Sequence, residues 1–141
     1  MALTSESTTV WTGTLFEGSG TTRLDSSKLA EFDVNWKARS EGEAGTTNPE
    51  ELLAAAHSAC FSMAFSLALT EAGHAPERIQ TTAAVTFQPG EGVTGSHLLV
   101  SARVPGITEA EFERIADEAK ANCPISKALA GTAITIEAEL A

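Results

Sequence analysis

Residues 48 to 71 read as one long helix, and that helix governs what the rest of the chain can fold into. It opens on Asn48-Pro49-Glu50-Glu51. Asn48 can cap, Pro49 suits the first helical position, and two acids sit where the helix dipole favours negative charge. The pattern predicts a helix to about Glu71, stopped by Gly73 and then Pro76. At ~1.5 Å per residue it is roughly 35 Å long. Leu52, Leu53, Ala56, Ala59, Phe61, Met63, Phe65, Leu67 and Leu69 cover nearly its whole circumference instead of one stripe. A helix apolar all round is buried on most sides. A small domain has little other structure to surround it, so the expectation is a partner subunit.

The remaining elements follow from period and punctuation. Val10 to Leu15 and Thr21 to Leu24 read as short strands. Phe32, Val34, Trp36 and Ala38 alternate with polar residues, which predicts a half-buried strand from Glu31 to Arg39. Ser40 to Thr47 is a loop. After the long helix, Thr81 to Phe87 and His97 to Val104 read as strands. Thr108 and Glu111 have capping-box spacing before Phe112, Ile115, Ala116 and Ala119. Asn122-Cys123-Pro124 breaks that helix and starts a shorter one, and Thr132 to Leu140 forms a last strand. The order β-β-β-α-β-β-α-β points to one α+β domain over 1–141 with an antiparallel-rich sheet.

Composition narrows the function classes. With 19 acids against 9 bases the formal charge is −10. Such a surface repels phosphate backbones and anionic lipid, so neither nucleic acid nor a membrane surface is an expected partner. No uninterrupted apolar run reaches the ~18 residues of a membrane span. Met1 to Thr9 lack the basic and apolar regions of a secretory signal, so a cytoplasmic location is expected. In that reducing setting, cysteine pairs tend to be catalytic or redox-sensing.

The chain has two cysteines. Cys60 lies mid-helix, where the plain alternative is a small hydrophobe in a core. Apolar burial raises a thiol's pKa, so a reactive Cys60 needs a cation brought to it. His57, one turn earlier, and Arg39, at the edge of a glycine-containing loop, are the candidates. Cys123 precedes Pro124 at a helix start, where free backbone N–H groups favour an anion. By these rules Cys123 is the easier thiol to ionise. The scattered histidines and the absence of a CxxC motif argue against zinc, and no cofactor is implied. A Cys60–His57 pair for acyl transfer lacks an evident orienting residue.

The stretch from Thr47 through Ala64, containing His57-Ser58-Ala59-Cys60, resembles the central motif of the OsmC/Ohr family. Ala119 to Leu129, around Cys123-Pro124, resembles the family's second cysteine motif, and the likeness spans nearly the whole chain. The resemblance implies an intertwined homodimer enclosing the long helices. It also implies reduction of organic hydroperoxides, and less efficiently hydrogen peroxide, in oxidative or osmotic stress defence. Cys60 would be the peroxidatic thiolate and Cys123 the resolving thiol, with the disulfide reduced by an external dithiol. Arg39 matches the arginine that stabilises the thiolate, and Glu50 the carboxylate that orients it, with Glu51 second. A straight helix sets Glu50 about 15 Å along the axis from Cys60. The helix must therefore bend, or the arginine must bridge the distance, in one arrangement across the dimer interface. Arg39 fits the OsmC branch; Arg23 is the weaker match to the arginine of Ohr. Leu53, Phe61, Met63 and Phe65 are candidates for a substrate pocket or for the core. The rival reading is an OsmC-like dimer that binds or supports without turnover.

Overall fold

The computed structural model describes residues 1–141 as six strands and four helices, arranged in two compact units, Met1–Leu52 and Leu53–Ala141. The α+β class is as expected, and so is the antiparallel bias of the sheets.

In the first unit β1 (Ser7–Thr12), β2 (Ser19–Leu24) and β3 (Glu31–Val34) form an antiparallel meander in which Val10 faces Thr21 and Phe32 faces Thr22. β1 lies earlier than Val10–Leu15 because Gly13, at φ 94°, turns the chain out of the strand. Gly20 is required by close approach, since a Cβ there would sit 2.9 Å from the Trp11 ring.

The strand expected to run to Arg39 stops at Val34. Asn35 Oδ1 accepts the Ala38 N–H at 2.7 Å and caps a short helix, α1 (Trp36–Ser40). The apolar alternation at Trp36 and Ala38 mimics a strand, but the Asn cap outweighs it. Arg39 is therefore a helical residue. Asn48 Nδ2 donates to the Ala38 carbonyl at 3.0 Å, and Asn48 Oδ1 accepts from Glu51 N at 2.8 Å. One asparagine thus secures α1 and caps the next helix.

That helix, α2 (Pro49–Glu71), has the predicted bounds. Its end is a Schellman motif: His74 N–H bonds to the Leu69 carbonyl, Gly73 N–H to that of Thr70, and Gly73 takes φ 87°. As expected for a single small chain, the rest of the fold does not surround α2. His57, Phe61, Phe65 and Leu69, spaced by four, are completely buried, whereas Met63 is 73% and Leu67 60% exposed. Within one chain, α2 buries a stripe and leaves an apolar face open. By length and mean hydropathy (1.7) it is also apolar enough to cross a membrane. Counting unbroken apolar runs misses this because Ser58, Ser62 and Ser66 interrupt them.

In the second unit β4 (Arg78–Gln88) pairs antiparallel with β5 (Gly92–Arg103), and β5 pairs parallel with β6 (Ala133–Leu140). A parallel pair needs a crossover, which α3 (Glu109–Asn122) and α4 (Pro124–Ala128) supply. Leu98, Val100 and Ala102 on one face of β5 join Phe61, Phe65 and Leu69 of α2 and Phe112, Ile115 and Ala119 of α3 in one core. Phe65 stacks at 5.4 Å between centroids on both Phe61 and Phe112. Phe61 and Phe65 are therefore core residues, which removes them as pocket lining.

Candidate active site

The first unit presents an arginine held in place. Arg39 meets Glu50 through Nε and Nη2, each 2.8 Å from Oε1, with Nε 3.3 Å from Oε2. Glu50 is 6% exposed, in the first turn of α2. The Asn48–Ala38 bond holds α1 against that turn, so the guanidinium is fixed at both backbone and head. Glu51, the second candidate, accepts from the Thr47 hydroxyl instead. Arg23, itself exposed, pairs instead with Asp25 at 2.7 Å. Arg39 also borders a cavity of about 540 Å³ in this unit, with Trp11, Leu15, Val34, Trp36 and Leu52 among its walls. A cation at the rim of an apolar hollow suits a ligand with a greasy body and a polar end.

The second unit holds the thiols. Cys60 and Cys123 are both free, Cys60 half-buried on α2 and Cys123 completely buried between α3 and α4. Despite their distance in sequence, the two thiols lie close enough for each to shift the other's ionisation. Burial pushes the Cys60 thiol up, with the Ile125 N–H opposing it and the charge on Cys123 adding to it. Burial also pushes Cys123 up. There it is outweighed by the Ser126 N–H, the Cys60 thiol, the Ser126 hydroxyl and the Ile125 N–H, and the net direction is down. Cys123 makes no regular capping bond to α4, so these groups act on its sulfur as surrounding dipoles. Of the two thiols in this unit, Cys123 is therefore the easier to ionise and Cys60 the harder. That is the order local sequence rules give.

His57, a sequence candidate for the activating cation, is ruled out for that role. It is fully buried, and burial lowers its pKa, so it is neutral at physiological pH. Its Nδ1 lies 2.6 Å from Ser96 Oγ and its Nε2 2.8 Å from Ser126 Oγ. Sequence reasoning missed these two serines. The only available signal was that a buried histidine must find two partners.

The fold and these two thiols define a class. Residues 21–139 match the family described as OsmC-like protein, and the chain belongs to that family. Over 133 residues, 92% of each chain, it is 44% identical to Peroxiredoxin OsmC of Escherichia coli K12. It is 33% identical over 120 residues to Organic hydroperoxide resistance protein OhrA of Bacillus subtilis 168, covering 81% of this chain and 84% of that one. In fold it resembles the crystal structure of an OsmC-like protein from Mycoplasma pneumoniae, with a TM-score of 0.74 over 99% of both chains at 19% identity.

Proposed function

We propose that this chain is a thiol-dependent peroxidase that reduces organic hydroperoxides to alcohols. The observation that carries the reading is the contact between two free thiols brought together from separate helices. The names of its relatives, a peroxiredoxin and a hydroperoxide resistance protein, support the same chemistry.

The Cys60 thiolate attacks the distal peroxide oxygen and the O–O bond breaks. The alkoxide leaves and takes a proton, giving the alcohol, while Cys60 becomes a sulfenic acid. The Cys123 thiolate then attacks Cys60 Sγ and expels hydroxide, which is protonated to water, leaving the disulfide. An external dithiol returns both cysteines to thiols and is itself oxidised. The first step needs the charge on Cys60. Arg39, oriented by Glu50, is the group proposed to favour it and to stabilise the leaving alkoxide. The apolar hollow beside Arg39 suits an organic substrate better than hydrogen peroxide.

A homodimer belongs to this proposal. Met63 and Leu67 stand exposed on α2 with Ala55 and Ala59, and covering each large side chain would contribute about 1.5–3 kcal/mol.

The rival, a family member without turnover, draws on one observation, the burial that disfavours the Cys60 thiolate. A single-turnover titration separates the two. One equivalent of cumene hydroperoxide should consume both thiols of the reduced chain and close one Cys60–Cys123 disulfide. Thiols that survive excess hydroperoxide would leave the rival standing.

A further inference from the structure

The peroxidase account leaves one buried polar group unused. His57 has no exposure, is neutral, and is bonded through both ring nitrogens to serine hydroxyls, Ser96 (2% exposed) and Ser126 (4% exposed). A histidine placed only to fill volume would be a costly choice, because each ring nitrogen must find a partner. Here the partners have a direction.

Ser126 has one hydroxyl proton. Its side chain faces both His57 Nε2 and the sulfur of Cys123. A thiolate only accepts, so the Ser126 proton points at Cys123 when that sulfur is ionised. The 2.8 Å bond to Nε2 must then run the other way, from Nε2–H to Ser126 Oγ. Nδ1, left without a proton, accepts from the Ser96 hydroxyl at 2.6 Å. Every donor has one acceptor, and the chain Ser96, His57, Ser126, Cys123 runs one way. Ser96 lies on β5, His57 on α2 and Ser126 on α4, so three packed elements fix the line.

We propose that Ser126, oriented by His57 and Ser96, is a positioning residue that aims its hydroxyl at Cys123 Sγ and holds that sulfur as the attacking group for disulfide closure. The role rests on the peroxidase reading for its purpose, but the hydrogen-bond line does not. His57 gives up no proton in the step. Cys123 Sγ forms the bond to Cys60 Sγ, the S–O bond breaks, and the departing hydroxide is protonated to water. As negative charge leaves Cys123, the Ser126 hydroxyl is released from it.

Thiolate absorbance of the Cys60→Ser chain, followed against pH, reports Cys123 alone and needs no peroxide. Adding Ser126→Ala should lower the thiolate population at neutral pH about tenfold, one unit in the midpoint. Ser126→Thr, which keeps the hydroxyl, should return it to within about twofold of the parent. His57→Phe keeps a ring but cannot donate to Ser126, and should shift the midpoint the same way. A folded Ser126→Ala or His57→Phe chain that titrates like its parent overturns the proposal, as does a Thr variant that behaves like Ala. Should the variants not fold, nitrogen NMR of the reduced wild-type chain decides. Nε2 of His57 should carry the proton; a proton on Nδ1 instead overturns the directed line. If the wild-type chain consumes no hydroperoxide, the peroxidase reading falls while these outcomes stand.

Discussion

Arg39 and Glu50 form a two-point ion pair, Nε and Nη2 both 2.8 Å from Oε1, with the carboxylate almost wholly buried. The pair is asymmetric, since the arginine side chain keeps 32% exposure and the glutamate 7%. Glu50 is thus the more deeply buried member, and it anchors the guanidinium.

Arg39→Ala should slow oxidation of Cys60 about tenfold at neutral pH, the effect of one unit in thiol pKa. Raising the pH should recover part of the rate. It should also destabilise the fold by about 2 kcal/mol, because the Glu50 carboxylate loses its partner. Stopped-flow oxidation at several pH values and denaturant unfolding separate the two effects. A Cys60 rate indifferent to Arg39 would remove the arginine from the mechanism.

Cys123→Ser should permit one round of peroxide reduction and then stop. Intact-mass and peptide analysis should find a single added oxygen on Cys60 and no disulfide. The oxide on the other thiol, in the matching Cys60→Ser chain with full peroxide consumption, would exchange the two roles.

His57 sets an acid-side stability term. Its folded pKa lies below its unfolded value of 6.5, because burial disfavours the charged ring. Below pH 6.5 the unfolded chain therefore binds a proton that the folded chain refuses. Stability falls as pH drops through that window, by up to about 1.4 kcal/mol per pH unit, until the folded ring itself titrates. Above 6.5 both states are neutral at this residue and the term vanishes. Urea unfolding at stepped pH should show this slope in the wild-type chain and lose it in a folded His57→Gln chain.

Phe65 sits at the centre of the second unit's core, against both Phe61 and Phe112. Phe65→Ala should cost about 3–5 kcal/mol in unfolding free energy. A loss under about 1 kcal/mol would mean that the aromatic stack contributes little.

Much of this was legible in the amino-acid order, and the misses have identifiable causes. The extent of α2 was readable because Asn48, Pro49 and Gly73 act locally through capping and backbone conformation. α1 was misread because period-two alternation at Trp36 and Ala38 carries the same pattern as a strand, and only the Asn35 cap tells them apart. The four candidate residues, Cys60, Cys123, Arg39 and Glu50, were legible only as residue types at positions. The meeting of Cys60 and Cys123, the pairing of Arg39 with Glu50 instead of Glu51, and the burial that keeps His57 neutral all depend on tertiary packing. Local pattern contains no record of that.

The central claim is that Cys60 turns over hydroperoxide, and steady-state consumption of cumene hydroperoxide with a dithiol tests it most directly. The wild-type chain should consume many equivalents and Cys60→Ser should fall to the uncatalysed background. Equal consumption by both chains, or none by either, contradicts the account.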